Sequence, residues 1–450
     1  MIIPKNRLNA AGLTIGTNMG VWSFDHFILQ RPYARINLTT FKDNIKTGFV
    51  WDNDMFVTNL FAHPYHGGLY FNAARSNGMN FWESVPYTAG GSLMWEFCME
   101  NESPSINDFL ATGIGGLCLG EMTYRLSDRV IDDRTVGFER FKREALLTLI
   151  SPIRGINRLI NGDAWKHRFI KGNSVPTTPV TISSAIGHRI IADNLKSRQD
   201  FSTMACVDFE LNYGNPYDPD NEKPYDFFLF KVGGNLFSKQ PFIGRVNALG
   251  ILFSKNITIK KNNSQLAWGL FQHFNYYQSQ ADINHESLSP YKISEAASVG
   301  PGLLYRTKLK NHINLSASGY LSAILLGGSQ TDHYFFDERD YNMGSGFSSK
   351  LNFDLAFDKK VRFYINFEDY RIYSWVGCDP NDPDNESSSV QGDVGDARLS
   401  VINWGLKYMI NKHLFFGTET SYFYRKSLYK YYPDVEHSVS ENKLSLGCIF

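Results

Sequence analysis

The chain has 450 residues, enough for one large domain or two of ordinary size. Its 45 basic and 45 acidic residues cancel to a net charge of zero, and no dense Lys/Arg run is present, which argues against a nucleic-acid binder. Aromatic residues make up 15% of the chain, with 34 Phe and 24 Tyr, a content high for a cytosolic enzyme and usual where aromatic girdles meet a membrane interface.

Three long runs, 55–74, 262–281 and 311–331, lack Asp, Glu, Lys and Arg, but each is broken by His or Asn and makes a poor helical span. Five cysteines, Cys98, Cys118, Cys206, Cys378 and Cys448, are odd in number and follow no metal spacing, so they define neither a disulfide framework nor a zinc site. No cofactor is called for. Residues 1–24 lack the charged and apolar regions of a secretory leader. An exported protein then requires that the given start be a processed form or an internal Met.

Residues 1–50 read as an N-terminal extension, weakly amphipathic over 34–49. After Trp51 the punctuation becomes helical and stays so to about residue 175. Asn80 with Glu83, and Ser105 with Asp108, have capping-box spacing, and Gly78 stands where a helix would end. Phe138, Phe141, Ala145 and Leu149 recur at helical spacing in an amphipathic segment that must stop near Ser151-Pro152, and a second short helix stops at Gly162. Residues 51–175 are therefore expected to form a domain of four to six short helices. Gly116 and Gly120 have the small-xxx-small spacing that lets helices approach closely.

This half also concentrates the groups that could carry chemistry. His63 and His66 lie three apart, on one face of a helix, and Glu96 and Glu100 lie four apart at the end of a stretch otherwise free of charge. A carboxylate among apolar neighbours is costly unless paired, and catalytic sites use that cost. One reading makes His63 or His66 a general base oriented by Glu96 or Glu100, or places all four around a metal. The structural reading has His66 hydrogen-bonded within the bundle, Arg75 and Arg125 neutralising Glu100 and Glu121, and Asp108 capping its helix. The motifs match no catalytic signature.

The segments WDND, HPYHGGLYFNAARSNGMNFW, WEFCMENESPSINDF, GGLCLGEMTYRLSD and SPIRGINRLINGD occur in order between Trp51 and Asp163. Together they resemble a domain family of unknown function found on Gram-negative outer-membrane proteins. The resemblance implies a helical module preceding a barrel and brings no activity or catalytic residue with it.

From about Pro176 the period changes to two. Twelve alternating segments follow, near 178–192, 202–214, 225–237, 242–256, 263–279, 292–308, 312–326, 342–357, 361–375, 396–410, 413–427 and 437–450. All exceed the roughly 9–11 residues a tilted strand needs to cross a bilayer, and their number is even. Short turns at 310–311, 358–360 and 411–412 alternate with long polar loops at 327–341 and 376–395, as expected for periplasmic turns and external loops. The acidic run from Asp379 to Glu386 reads as a solvated loop or a cation site, without EF-hand spacing. Two connections break the rule. Counting back from a periplasmic C-terminus puts the long insertion 215–224 on the turn side and the short turn 239–241 on the loop side.

The last strand places Leu444, Leu446, Cys448 and Phe450 on one face, with Lys443, Ser445 and Gly447 on the other, and ends on a terminal aromatic. It resembles the closing-strand signal that Gram-negative barrel-assembly machinery recognises on its clients, which implies that machinery as a partner during biogenesis. The expected fold is mixed: residues 176–450 form a transmembrane antiparallel β-barrel of about twelve strands in the cell outer membrane, in contact with its lipids, behind an α-helical N-terminal domain. The function expected is that of a binding, transport or envelope-complex component, with the helical domain at the periplasmic mouth or partly in the lumen. The competing reading is an outer-membrane enzyme acting on lipid or lipopolysaccharide through His63, His66, Glu96 and Glu100. A third, a soluble periplasmic β-sandwich, requires strands of about 5–6 residues.

Overall fold

The computed structural model describes residues 4–51, 54–168, 178–193, 201–259, 264–280, 291–310, 312–333, 340–381 and 392–450. The chain divides into two compact units, Met1–Thr177 and Thr178–Phe450.

The first unit is helical: α1 Arg7–Ser23, α2 Leu38–Thr47, α3 His63–Arg75, α4 Phe81–Cys98, α5 Ile106–Leu110, α6 Gly116–Val130, α7 Gly137–Ile150 and α8 Pro152–Ile160. Single π-helical turns at Thr58–Ala62 and Ala111–Gly115 lead into α3 and α6. Asn80 and Glu83 form the reciprocal capping box at the start of α4, and the Ser105 hydroxyl accepts from the Asp108 N–H to start α5. Gly78 and Gly162 both take positive φ, +80° and +73°, just beyond α3 and α8. α1 belongs to this bundle. The Asn18 amide donates to the Gly91 carbonyl at 2.9 Å, and the Asn9 amide donates to Asn77 and Asn157.

α3 and α6 form the centre of the unit. They approach so closely that a Cβ on Gly67 would lie 1.9 Å from the Thr112 carbonyl oxygen, and one on Gly116 would lie 2.6 Å from the Gly67 Cα. Tyr70, Phe71, Cys118 and Met122 are buried around this contact. Arg75 and Arg125 both clasp the buried Glu121, at 2.6 Å and 2.8 Å. The α7 stripe is oriented otherwise than an apolar stripe usually is: Phe138, Phe141, Ala145 and Leu149 are exposed, while Arg140 is buried.

The second unit is a closed twelve-stranded antiparallel barrel: β1 Val180–Asp193, β2 Phe201–Tyr213, β3 Phe228–Leu236, β4 Ile243–Ile259, β5 Ser264–Gln278, β6 Lys292–Lys310, β7 Ile313–Gln330, β8 Tyr341–Phe357, β9 Val361–Ser374, β10 Gly395–Met409, β11 Leu414–Tyr429 and β12 Val435–Ile449. Each strand pairs with its sequence neighbours, and β12 closes on β1 with Ser183 opposite Ile449. Reciprocal backbone bonds between Ile182 and Phe450 finish the seam. Leu444, Leu446 and Phe450 are exposed on the outer wall with Ile186, Leu303, Leu351, Ile402 and Phe416, whereas Ser445 is buried inside. An apolar exterior around a polar interior is the inversion a bilayer selects. No described helix is long and apolar enough to cross a membrane.

The start of β1 and the end of β12 share one rim. The turns β6–β7, β8–β9 and β10–β11 lie on that rim, and the loops β7–β8 and β9–β10 lie on the other. At the β8–β9 turn, Asp358 and Lys359 take φ of +47° and +57°, the left-handed pair a tight hairpin needs. The first hairpins do break the pattern, with the strand count intact. β3 is short, so the long β2–β3 segment stands on the turn rim and fills the column below β3. It is held by packing: Tyr217 and Phe227 bury themselves among Leu249, Ile251, Phe271 and Tyr320, and the Arg306 guanidinium lies 4.3 Å from the Tyr217 ring centroid. The Tyr225 N–H donates to the Ile251 carbonyl at 2.6 Å where the β4–β5 register shifts.

Candidate functional site

Two places gather functional side chains, the barrel lumen and the α3–α4–α5 corner of the helical unit. An eight-stranded barrel is filled by its own side chains, and twelve strands enclose more room than ordinary residues fill. Here long side chains reach across. Tyr291, just before β6, donates from its hydroxyl to Glu441 of β12 at 2.5 Å, from half-way round the ring. The Tyr291 ring stacks on Phe423 of β11 with centroids 4.0 Å apart. Tyr277 of β5 donates to Glu368 of β9 at 2.8 Å, and Arg245 of β4 faces Glu419 of β11 at 3.9 Å. Lys443 of β12 ties Glu419 to Asp208 of β2, at 2.8 Å and 2.9 Å.

These bridges form tiers. Toward the loop rim the lumen holds an apolar cluster including Tyr277, Tyr291, Ile324, Tyr370, Leu399 and Phe423. Beside it a buried polar knot centres on Glu295, which accepts from Lys350, Asn275, Ser298 and Ser348 within 2.8 Å. Higher still, Asp332 takes a bidentate Arg425 at 2.6 Å and 2.9 Å plus the Tyr429 hydroxyl, and Asp393 accepts the backbone N–H groups of Asp332 and His333. Toward the turn rim the packing opens into a cavity of about 420 Å³. Its wall mixes Lys231, Arg362 and Lys407 with Glu210 and Asp354, and Tyr217 of the β2–β3 segment borders it. Glu210 lies 3.3 Å from Lys407 and 3.8 Å from Lys231.

In the helical corner, His63 and His66 stand in the first turn of α3. The His63 Nε2 lies 3.5 Å from the Asp108 carboxylate, and its Nδ1 lies 3.5 Å from the Thr112 hydroxyl. His66 Nε2 bonds the Tyr70 hydroxyl at 2.9 Å, and that hydroxyl in turn bonds Asn18. The His66 ring is packed between Tyr70 and the edge of Trp95, and this burial, helped by the neighbouring His63, pulls its pKa down to about 3. His66 is therefore a neutral imidazole at physiological pH. Burial, then the charges of Glu96 and Glu100, push the Tyr70 phenol well above its ordinary value.

Glu96 is buried and accepts the Ser105 N–H at 2.8 Å, which ties the end of α4 to the start of α5. Glu100 accepts the Trp95 indole N–H at 3.2 Å. Asp108 beside His63 and Tyr70 beside His66 escaped sequence reasoning. The sequence shows Asp108 only as a helix cap, because His63 and Asp108 belong to elements that only the fold brings together. Tyr70 stands four residues after His66, a helical spacing that signals the pair. Among the described residues no three His, Cys, Asp or Glu side chains come together as a metal site, and residues 382–386 of the acidic loop lie outside the described residues. Asp379 itself accepts the Tyr431 hydroxyl at 2.7 Å.

The helical corner falls inside a recognisable family. Residues 48–153 match the family model of a domain of unknown function, DUF3943. The DUF3943 segment contains α3 to α7, with His63, His66, Glu96, Glu100 and Asp108. A search of curated proteins returned no match. Among solved structures the chain is similar to an outer membrane channel from Pseudomonas putida F1, at 8% identity over 63% of this chain and 100% of that one, with a TM-score of 0.30. It is also similar to the KdgM porin, at 9% identity over 58% of this chain and 97% of that one, with a TM-score of 0.25. A third is OmpT of Vibrio cholerae, at 7% identity, 63% and 100% coverage and a TM-score of 0.24.

Proposed function

We propose that this protein is a closed outer-membrane barrel that acts as a binding component of the envelope and is not an open pore. The observation that carries this reading is the meeting of opposite walls through Tyr291, Glu441 and Phe423. A hydrated pore needs a continuous aqueous path, and stacked rings beside a charge-assisted hydrogen bond occupy that path. The cavity toward the turn rim is the place for a ligand, which its paired cations and carboxylates would hold by polar contacts. With the turn rim in the periplasm, the cavity and the chain entering β1 face that compartment, and the DUF3943 domain works on the periplasmic side. Outer-membrane lipids surround the wall, and barrel-assembly machinery inserts it through the Leu444, Leu446, Cys448 and Phe450 face.

Swelling of proteoliposomes in small sugars tests closure. Vesicles holding the native chain should swell no faster than protein-free ones, while a Tyr291→Ala, Phe423→Ala variant should swell faster. Rapid swelling with the native chain would refute the reading.

A second reading, an enzyme acting on lipid or lipopolysaccharide, is favoured by one contact, His63 beside Asp108. Fatty-acid release from outer-membrane lipids by the native chain, lost in His63→Gln, would support it. In that reading His66, Glu96 and Glu100 hold the corner in shape, and absence of release by the native chain removes it.

A further inference from the structure

The α7–α8 hairpin is built inside out. Phe138, Phe141 and Leu149 of α7 are 73%, 66% and 80% exposed, Ile160 of α8 is 65% exposed, and Trp165 beyond it is 78% exposed. The hairpin's interior, by contrast, sets a network of ions beside the buried Leu147 and Ile153. Arg140 is held by Asp133 at 2.9 Å and Glu144 at 3.0 Å and donates to the carbonyls of Asp132, Asp163 and Ala164. Arg158 reaches the same two carboxylates at 2.7 Å and 2.9 Å, and Arg154 is buried against Tyr124, Ser127 and Asp128. A water-facing hairpin would gain by the reverse arrangement, because apolar area left in water is unfavourable and buried ions need partners.

We infer that this hairpin lies on a phospholipid surface, with the α7–α8 apolar face in the interfacial layer of a bilayer. The inference rests on the membrane reading of the barrel. Two features select lipid over a protein partner. The face combines aromatic rings and a Trp indole with Lys142 and Lys166, the composition of interfacial helices. The Lys142 ammonium lies 5.6 Å from the Phe138 ring centroid while paired with Glu139 at 2.7 Å, so a charged pair borders the aromatic rings, as at an interfacial helix face. Gly155 keeps α8 tight on α7, since a Cβ there would lie 2.2 Å from the Thr148 hydroxyl, so the hairpin presents its face as one plate.

The test uses the full chain in phosphatidylethanolamine–phosphatidylglycerol vesicles. Cys98 and Cys448, the two cysteines not fully buried, are replaced by Ser. A nitroxide is placed in turn at Leu149→Cys, at Leu446→Cys on the barrel wall, and at Lys46→Cys on exposed α2. Oxygen, which concentrates in lipid, and a water-soluble nickel chelate are the two collision reagents. The expected result is a severalfold higher oxygen-to-nickel ratio at Leu149 and Leu446 than at Lys46. Nickel access at Leu149 with Leu446 in lipid overturns the inference and leaves the barrel reading standing. Protection of Leu149 from both reagents also overturns it, in favour of a protein partner or a second copy. Nickel access at Leu446 overturns the barrel reading itself, and the inference with it.

Discussion

The barrel wall and the α7–α8 hairpin turn apolar side chains outward and ions inward, whereas α3 and α6 meet the opposite way, glycine against glycine with aromatic and aliphatic groups sealed around them. The difference shows that an apolar stripe reports a face and not its surroundings. Phe138, Phe141, Ala145 and Leu149 have the same spacing as a core stripe, yet in the fold they are its exterior. What distinguishes them is the partner set of the opposite face, where three arginines find carboxylates and carbonyls.

The comparison can be broken at several points. The largest effect belongs to the α3–α6 contact. Gly67→Leu would drive a side chain into the Thr112 backbone, and overpacking of this kind costs about 3 kcal/mol or more where backbone must move. Loss of the helical signal on heating the full chain should come at a clearly lower temperature, and unchanged melting would show the contact to be looser than described. On the barrel wall, Ile402→Arg in the middle of β10 should cost about 2–4 kcal/mol in urea unfolding from vesicles. A neutral effect would place that residue away from lipid.

Acid offers a third probe. His66 stays neutral in the fold down to a pKa of about 3 but takes a proton near 6.5 when unfolded, so protons favour the unfolded chain between those values. Its contribution to stability is complete above about pH 6.5 and falls as pH is lowered, by up to about 2 kcal/mol between pH 7 and 5. Denaturant midpoints of the helical signal should drop over that range in the native chain and drop less in His66→Gln. The smallest effect is expected at Phe141→Ser, within about 0.5 kcal/mol for the unfolding of the helical unit in detergent. A large loss there would mean that the stripe is core after all.

Much of the barrel was legible in the sequence because a strand half in lipid and half in a polar lumen must alternate. The twelve segments match β1 to β12 within a few residues at each end. The misplaced connections at 215–224 and 239–241 were legible too. Their cause was not, because nothing local to Tyr217 or Phe227 says that they fill the lumen against β4, β5 and β7. The same holds for the site. Asn80 and Gly78 act through neighbours in sequence and could be read directly, whereas His63 with Asp108, and Tyr291 with Glu441, are separated by 45 and 150 residues and meet only through the fold.

Closure of the lumen is the claim on which the binding reading stands, and single-channel recording in planar bilayers tests it most directly. The native chain should insert without discrete conductance steps, while a variant combining Tyr291→Ala, Phe423→Ala and Glu419→Ala should show them. Steady, discrete conductance from the native chain would contradict the account.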